Sequence, residues 1–225
     1  MTNVLSLYLV EDDAPVIESV QRLVESISLP LVAIPRNDQL LDLLHQGACG
    51  CLLLKLNVEH IELLKRVRDM SATIETVFLT DVADVSLLVQ AMRLGASTVL
   101  KKPCRSDELL AAIRSAVGAA YSRQQKSEQA EAGRRKLKSL TKEESHVMRL
   151  MIAGRTNQEI ADQIQLSLRT VQFRRSSIFR KLKISTKSRL FDLAVTTGLL
   201  DELVAEVPLM AVHAVEEAAS SHAND

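Results

Sequence analysis

The first 120 residues alternate short apolar runs with amphipathic stretches. Leu5–Val10, Leu31–Ile34, Cys51–Leu54, Val77–Thr80 and Thr98–Leu100 read as strands. Between them Ala14–Ser26, Asp38–His45, Glu59–Met70 and Val85–Arg93 carry apolar residues at helical spacing. Gly95 stops the fourth of these helices, and Ser106 is placed to cap a fifth. Cys51–Leu54 is apolar without interruption, the pattern of a strand buried on both faces. Five strands alternating with five helices predict an α/β fold, a doubly wound five-stranded parallel sheet covered on both sides. Chemistry in such a sheet gathers at the C-terminal ends of the strands. Those ends here are Glu11-Asp12-Asp13, Lys55, Thr80-Asp81 and Lys101-Lys102-Pro103.

From Ser106 the chain continues as an amphipathic helix with Leu109, Leu110, Ile113, Val117 and Tyr121 on its buried face. It turns polar from Ser122 to Gln129, and two readings of 121–138 fit: one long helix, or a charged flexible tether. An all-α module of four short helices follows. Thr141-x-x-Glu144 and Thr156-x-x-Glu159 are capping boxes that open its first two helices. The first buries Val147, Leu150 and Met151 and ends before Gly154; the second buries Ile160, Ala161 and Ile164. Gln165-Leu166 makes a turn, and Ser167 caps a third helix whose Val171, Ile178 and Leu182 share a face. The fourth, about 187–197, buries Leu190, Leu193 and Ala194, with Gly198 closing it. The divisions read from this pattern are 1–120, a linker 121–138, a helical module 139–200 and a tail 201–225.

The solvent-facing side of the third helix carries Arg169, Gln172, Phe173, Ser176 and Arg180, at i, i+3, i+4, i+7 and i+11. Guanidinium and amide groups in one stripe suit base edges in a major groove, with flanking cations for phosphates. A solvated basic helix on a small bundle has the same periodicity. Charge separates the segments more than it separates these readings. The chain is neutral overall, yet 1–120 has eleven basic against fifteen acidic residues, 121–200 has seventeen against seven, and 201–225 has none against six. A basic segment between two acidic ones points to a polyanion for the middle part.

Other chemistry is sparse. The cysteines are Cys49, Cys51 and Cys104, with no second Cys or His pair at zinc spacing, so reduced structural thiols are expected. The N-terminus meets acidic residues too early for a signal peptide, and no apolar run reaches membrane-span length. Arg134-Arg135-Lys136 with Lys138 is a charge run that suits either solvent or a DNA backbone. The tail is apolar and acidic; a helix packed on its own module, a dimer contact and a shield for the basic module all fit.

The run from Leu140 to Leu200 resembles the C-terminal helix-turn-helix domain of the LuxR/NarL/FixJ regulators. The residues that carry the resemblance are Leu140-Thr141, Gly154, Asn157-x-Glu159-Ile160-Ala161, Ser167, Thr170-Val171 and Ile178-x-x-Lys181-Leu182. It implies double-stranded DNA as partner, with Arg169, Gln172, Phe173 and Ser176 facing bases and Asn157, Thr170, Arg175, Arg180 and Lys181 holding phosphates. Arg174 stands where that family usually has His. A homodimer on a two-fold site is expected, because one short helix reads few base pairs.

The first 120 residues resemble the receiver domain of two-component response regulators, a flavodoxin-like fold. The matching pieces are the acidic group after strand one, Thr80 ending strand four, Ala91-Met92-x-x-Gly95-Ala96, and Lys102-Pro103. The resemblance implies Glu11 and Asp12 as metal carboxylates, Thr80 as the switch hydroxyl, Lys102 as the phosphate-binding lysine and a cis Lys102–Pro103 bond. Where the family places its phospho-acceptor Asp, this chain has Lys55. The following Asn57-Val58-Glu59-His60 lacks the family's Met-Pro and Gly, and Val99 replaces the usual aromatic in strand five. An amine forms no acylphosphate, and its charge opposes Mg²⁺ nearby, so no cofactor is expected. Lys55 either pairs with Glu11 or Asp12 in the cation position or snorkels to solvent.

These features predict a cytoplasmic bacterial transcription regulator that binds DNA independently of phosphorylation, with a degenerate receiver. The competing reading is an interaction protein whose receiver-like part and tail bind a regulatory protein partner. No nucleophile–base pair is visible, so an enzyme is not expected, and no membrane partner is expected either.

Overall fold

A computed structural model of the chain describes residues 4–11, 13–70, 73–81 and 84–205. It divides into two compact units, Met1–Gln125 and Lys126–Asp225. The first unit contains β1 (Leu5–Val10), α1 (Ala14–Glu25), β2 (Leu31–Ile34), α2 (Asn37–His45), β3 (Cys49–Lys55), α3 (Val58–Met70), β4 (Ile74–Thr80), α4 (Val85–Arg93) and β5 (Thr98–Lys101), and the start of α5 (Ser106–Leu137). All the pairings are parallel and the strand order is β2-β1-β3-β4-β5. This is the flavodoxin-like order, in which the chain reverses its direction of winding between β1 and β3.

The pleat sends alternate residues of each strand to opposite faces. Leu52, Leu54 and Phe78 meet Leu40, Leu44, Ile61, Leu64 and Ala91 of α2, α3 and α4. Cys51, Leu53, Val77 and Leu100 meet Val20, Val24, Leu109 and Ile113 of α1 and α5. Both faces of β3 are therefore dry, as its uninterrupted apolar run requires.

β3 and β4 both begin earlier than hydrophobicity predicts, at Cys49 and Ile74. In β4 the reason is Glu75, a carboxylate buried at 3% exposure inside the strand. Ser97 Oγ donates to it at 2.5 Å, and Arg123 and Arg68 pair with it at 2.8 and 3.5 Å. Buried charge is tolerated only with such partners, and they lie far away in sequence. In β3 the reason is Gly50, whose φ of +139° excludes ordinary side chains. A Cβ there would overlap the Ser6 carbonyl oxygen of β1.

α5 departs from its predicted face in one place. Leu109, Ile113, Ala116 and Ala120 form the buried stripe, whereas Tyr121 is 49% exposed. One residue past Ala120 is a rotation of about 100°, which carries Tyr121 off the contact line. Ser106 is already helical, and the Arg105 carbonyl takes the first helical bond from Leu109 N, so Arg105 holds the cap position expected for Ser106. The helix is continuous through 121–137. All three cysteines are free, Cys49 and Cys51 buried, and the Lys102–Pro103 bond is cis.

The second unit holds the end of α5 with α6 (Lys142–Ile152), α7 (Asn157–Gln163), α8 (Leu168–Leu182), α9 (Lys187–Thr197) and α10 (Leu199–Ala205). Val147, Met151, Ile160, Val171, Ile178, Leu182, Leu190 and Ala194 form its core. α5 closes on α9 at Gly133, where a Cβ would strike Thr197 and Leu193, and Arg134 Nε donates to the Thr197 carbonyl at 3.3 Å. Arg134 is thus engaged within the unit. α10 extends the expected four helices, with Leu199 buried and Leu203 against the same core. The remainder of the tail, 206–225, lies outside the described residues. No helix among the described residues is long and apolar enough to cross a membrane.

Gly50→Ala forces β1 and β3 apart or twists β3 out of register. We expect a destabilisation of about 3 kcal/mol or more, measured by urea unfolding of the full chain followed by circular dichroism.

Candidate functional site

Thr156 and Glu159 exchange bonds at the start of α7: Thr156 N donates to Glu159 Oε2 at 2.7 Å, and Glu159 N donates to Thr156 Oγ1 at 3.3 Å. The turn after α7 uses Gln165 in left-handed backbone, φ +53°. Ser167 Oγ then accepts from Thr170 N at 3.1 Å and starts α8. These local bonds make the helix–turn–helix; the azimuth of α8 comes from further away.

That azimuth rests on Glu144 of α6, 7% exposed. Thr141 N donates to Glu144 Oε2 at 2.9 Å, Ser177 Oγ to Oε1 at 2.8 Å, and Lys181 Nζ to Oε2 at 2.6 Å. Ser177 and Lys181 are four apart, so one carboxylate grips two successive turns of α8. The Lys181 ammonium first, and then the Thr141 amide, hold the Glu144 carboxyl down to about 2.

With α8 gripped in this way, Val171, Ile178 and Leu182 enter the core and Arg169, Gln172, Phe173, Ser176 and Arg180 all face solvent. Phe173 is 70% exposed, one apolar side chain within the polar stripe. The residues expected at phosphates are placed differently. Arg180 is exposed. Thr170 is half-buried, its hydroxyl 2.7 Å from Ser167 Oγ. Asn157 and Arg175 bond each other, Arg175 Nη1 donating to Asn157 Oδ1 across the α7–α8 interface. Lys181 is committed to Glu144. Sequence reading recognised Glu144 as a cap; its second role, facing α8 33 residues away, carries no local signal.

In the first unit the described site residues Glu11, Lys55, Thr80 and Lys102 lie at or directly after the C-terminal ends of β1, β3, β4 and β5. A cleft of about 590 Å³ there is lined by residues that include Glu11, Arg36, Asn37, Lys55, Glu59 and His60. Lys55 ends β3, and its Nζ lies 3.3 Å from Asp81 Oδ2, both side chains about half exposed. The described partner of Lys55 is Asp81, one residue past Thr80. Asp12 lies outside the described residues. Glu11 Oε1 accepts from Asp13 N at 3.3 Å. Thr80 is buried, and its carbonyl accepts from Lys102 N at 2.8 Å. α3 follows β3 at once: Asn57 Oδ1 accepts from His60 N at 2.7 Å, and the His60 ring Nδ1 lies 2.6 Å from the Lys55 carbonyl. Among the described residues, this cleft gathers the carboxylates Glu11 and Glu59 with the cations Lys55 and Arg36. No three His, Cys, Asp or Glu side chains among the described residues are grouped to hold a metal ion.

Comparison with known proteins agrees with both units. The response regulator receiver domain family matches residues 7–114, and the family of bacterial regulatory proteins of the LuxR type matches residues 138–194. The chain belongs to the response regulators that join a receiver to a LuxR-type DNA-binding domain, and that membership supports a DNA-binding transcription regulator. It is 31% identical over 205 residues to the transcriptional regulatory protein FixJ of Bradyrhizobium diazoefficiens, covering 90% of this chain and 100% of FixJ. It is 29% identical over 200 residues to the response regulator protein TodT of Pseudomonas putida, covering 88% and 87%. The solved structure of the response regulator StyR matches with a TM-score of 0.74 at 28% identity, over 85% of this chain and 98% of that one.

The Glu144 linkage has a defined sign. Its carboxyl is held below its ordinary value of about 4.5, so the stability it contributes is present above pH 4.5 and is lost as pH falls toward about 2. Thermal unfolding of the full chain between pH 5 and pH 2.5, on the order of the window set by these values, is expected to show a falling midpoint. Glu144→Gln is expected to flatten that part of the profile and to lower the midpoint at neutral pH.

Proposed function

We propose that the chain is a sequence-specific DNA-binding transcription regulator whose receiver controls it without a phosphoryl switch. The observation that carries the DNA reading is the α8 stripe. Its five members are exposed together, and Arg169 and Arg180 form no ion pair among the described residues, whereas Lys181 of the same helix does. Gln172, Phe173, Ser176 and Arg169 read bases in the major groove; Arg180, with Thr170 and the Asn157–Arg175 pair at the margin, contacts phosphates. We reassign Lys181 to holding the helix, so its contribution to DNA binding is indirect. A dimer on a two-fold site supplies the length of sequence that one helix cannot read.

Lys55 supports the absence of a phosphoryl switch. The receiver reaction needs a carboxylate at the end of β3 and a divalent cation beside it; an ammonium supplies neither and repels the metal. The Lys55–Asp81 pair is half exposed, and such pairs contribute about 0–1 kcal/mol. Its importance is therefore chemical: it fills the acceptor position with the wrong charge, and adds little stability.

A second reading has an observation of its own. Val85, Leu88, Val89 and Met92 of α4 lie at i, i+3, i+4 and i+7 and are all exposed, Val85 at 69%. An apolar stripe of that kind favours a protein contact through the receiver, either with a second copy or with a regulatory partner.

Footprinting with the full chain tests the DNA reading. Arg180→Ala is expected to weaken binding to all sequences and to lower the salt slope by about 1, while Gln172→Ala changes sequence preference. Equal loss on selected and random DNA for Gln172→Ala removes its base-reading role. Incubation with acetyl phosphate and Mg²⁺ followed by intact-mass measurement tests the receiver. No mass gain is expected; a stable gain overturns phosphorylation independence.

A further inference from the structure

The α8 stripe does not stop at Arg180. Lys183 lies fourteen residues after Arg169, so it continues the same face, and its backbone is left-handed, φ +53°. Glycine is the easier residue there, so a cation is held at that point against backbone preference. From Arg169 to Lys183 the helix rises about 21 Å, while a major groove is about 12 Å wide. A helix that crosses the groove with its first turns on base edges carries its far end over the sugar–phosphate wall.

At that end lies a cleft of about 450 Å³ whose lining includes Gln129 and Lys136 of α5, Lys183 and Ser185 after α8, and Arg189 and Asp192 of α9. It lies wholly within the second unit. Lys136, Lys183, Ser185 and Arg189 are exposed. None of the three cations enters an ion pair among the described residues, whereas Arg149, Arg155 and Lys181 of the same unit pair with Glu202, Glu159 and Glu144. Asp192 is the cleft's carboxylate, so three positive side chains face one negative one around the hydroxyls of Ser185 and Thr196 and the amide of Gln129.

We propose that this cleft takes a backbone phosphate of the DNA at the far end of the recognition helix, with Lys136, Lys183 and Arg189 as its cations. α5, the helix that leads out of the receiver, then becomes part of the DNA interface. Concavity, net positive charge and continuity with the α8 stripe all favour a phosphodiester over a base edge, which needs the planar, one-sided contact of the preceding turns. The proposal rests on the DNA-binding reading of α8. It extends the contact beyond the residues that reading uses.

The test uses the full chain and DNA duplexes that it selects from a random pool, each made in a short form and in a form extended on both flanks. Log affinity is measured against log salt for the wild type, Lys136→Gln, Arg189→Gln, Asp192→Asn and Arg180→Ala. Lys136→Gln and Arg189→Gln are exposed changes and are expected to lower the slope by about 0.9 for each phosphate released. They should also abolish the affinity gained on the extended duplex, while keeping the selected sequence preference. Asp192→Asn is expected to tighten binding. If Arg180→Ala lowers the slope but the two cleft variants keep wild-type slope and flank dependence, the cleft proposal fails and the α8 reading stands. If the wild type itself binds without salt dependence and Arg180→Ala changes nothing, both fail together.

Discussion

The carboxylate of Glu144 is the joint on which the DNA-binding unit depends. A charge almost removed from water must be met by donors, and here the donors are an amide of its own helix cap and two side chains of α8. Ser177 and Lys181 reach it together at only one rotation of α8 about its axis. At that rotation the apolar face of α8 meets the core and the stripe from Arg169 to Arg180 meets solvent. The surface that reads DNA in our proposal is thus set by an interaction inside the protein. Removing that carboxylate would leave Lys181 and Ser177 without a partner, at roughly 2 kcal/mol or more, and would free the helix to roll.

The receiver unit uses the same chemistry for a different end. Glu75, at the N-terminal end of β4, is buried with Ser97, Arg68 and Arg123 around it. Arg123 belongs to α5, so this cluster also fixes the course of that helix as it leaves the sheet. At the opposite edge Lys55 and Asp81 face water and are held weakly. The strong polar joint of this unit therefore sits at the N-terminal end of β4, and a weak one at the C-terminal edge of the sheet. The sheet keeps the receiver fold with Lys55 at the end of β3, the position that in our proposal carries no phosphoryl group.

Much of this was legible along the chain. The alternating pattern predicted the five strands, the helices between them and the doubly wound class, because a parallel sheet demands apolar runs and its helices demand a 3.6-residue period. Both capping boxes and the Ser167 cap were visible because their partners lie three residues apart. Lys55 could be placed at the end of β3 by the same register. The early starts of β3 and β4 were not visible, because Gly50 and Glu75 fit a strand only once Ser6, Ser97, Arg68 and Arg123 are brought to them. Tyr121 extends the apolar face of α5 in the sequence pattern, but in the packed helix Ala120 is buried there instead.

What the sequence by itself determined was the list of elements, the caps that start them and the chemical kinds of residue on α8. What only the tertiary structure decided was which of those residues are free to act. Lys181 reads as a DNA-facing cation beside Arg180, yet it is bound to Glu144; Arg175 is bound to Asn157; Lys183, Lys136 and Arg189 come together from three helices' ends. The reason is physical. Helical and strand periodicities are local and written in the spacing of side chains. A cation's availability depends on whether a distant carboxylate or amide has already claimed it, and that is fixed only when the chain has packed.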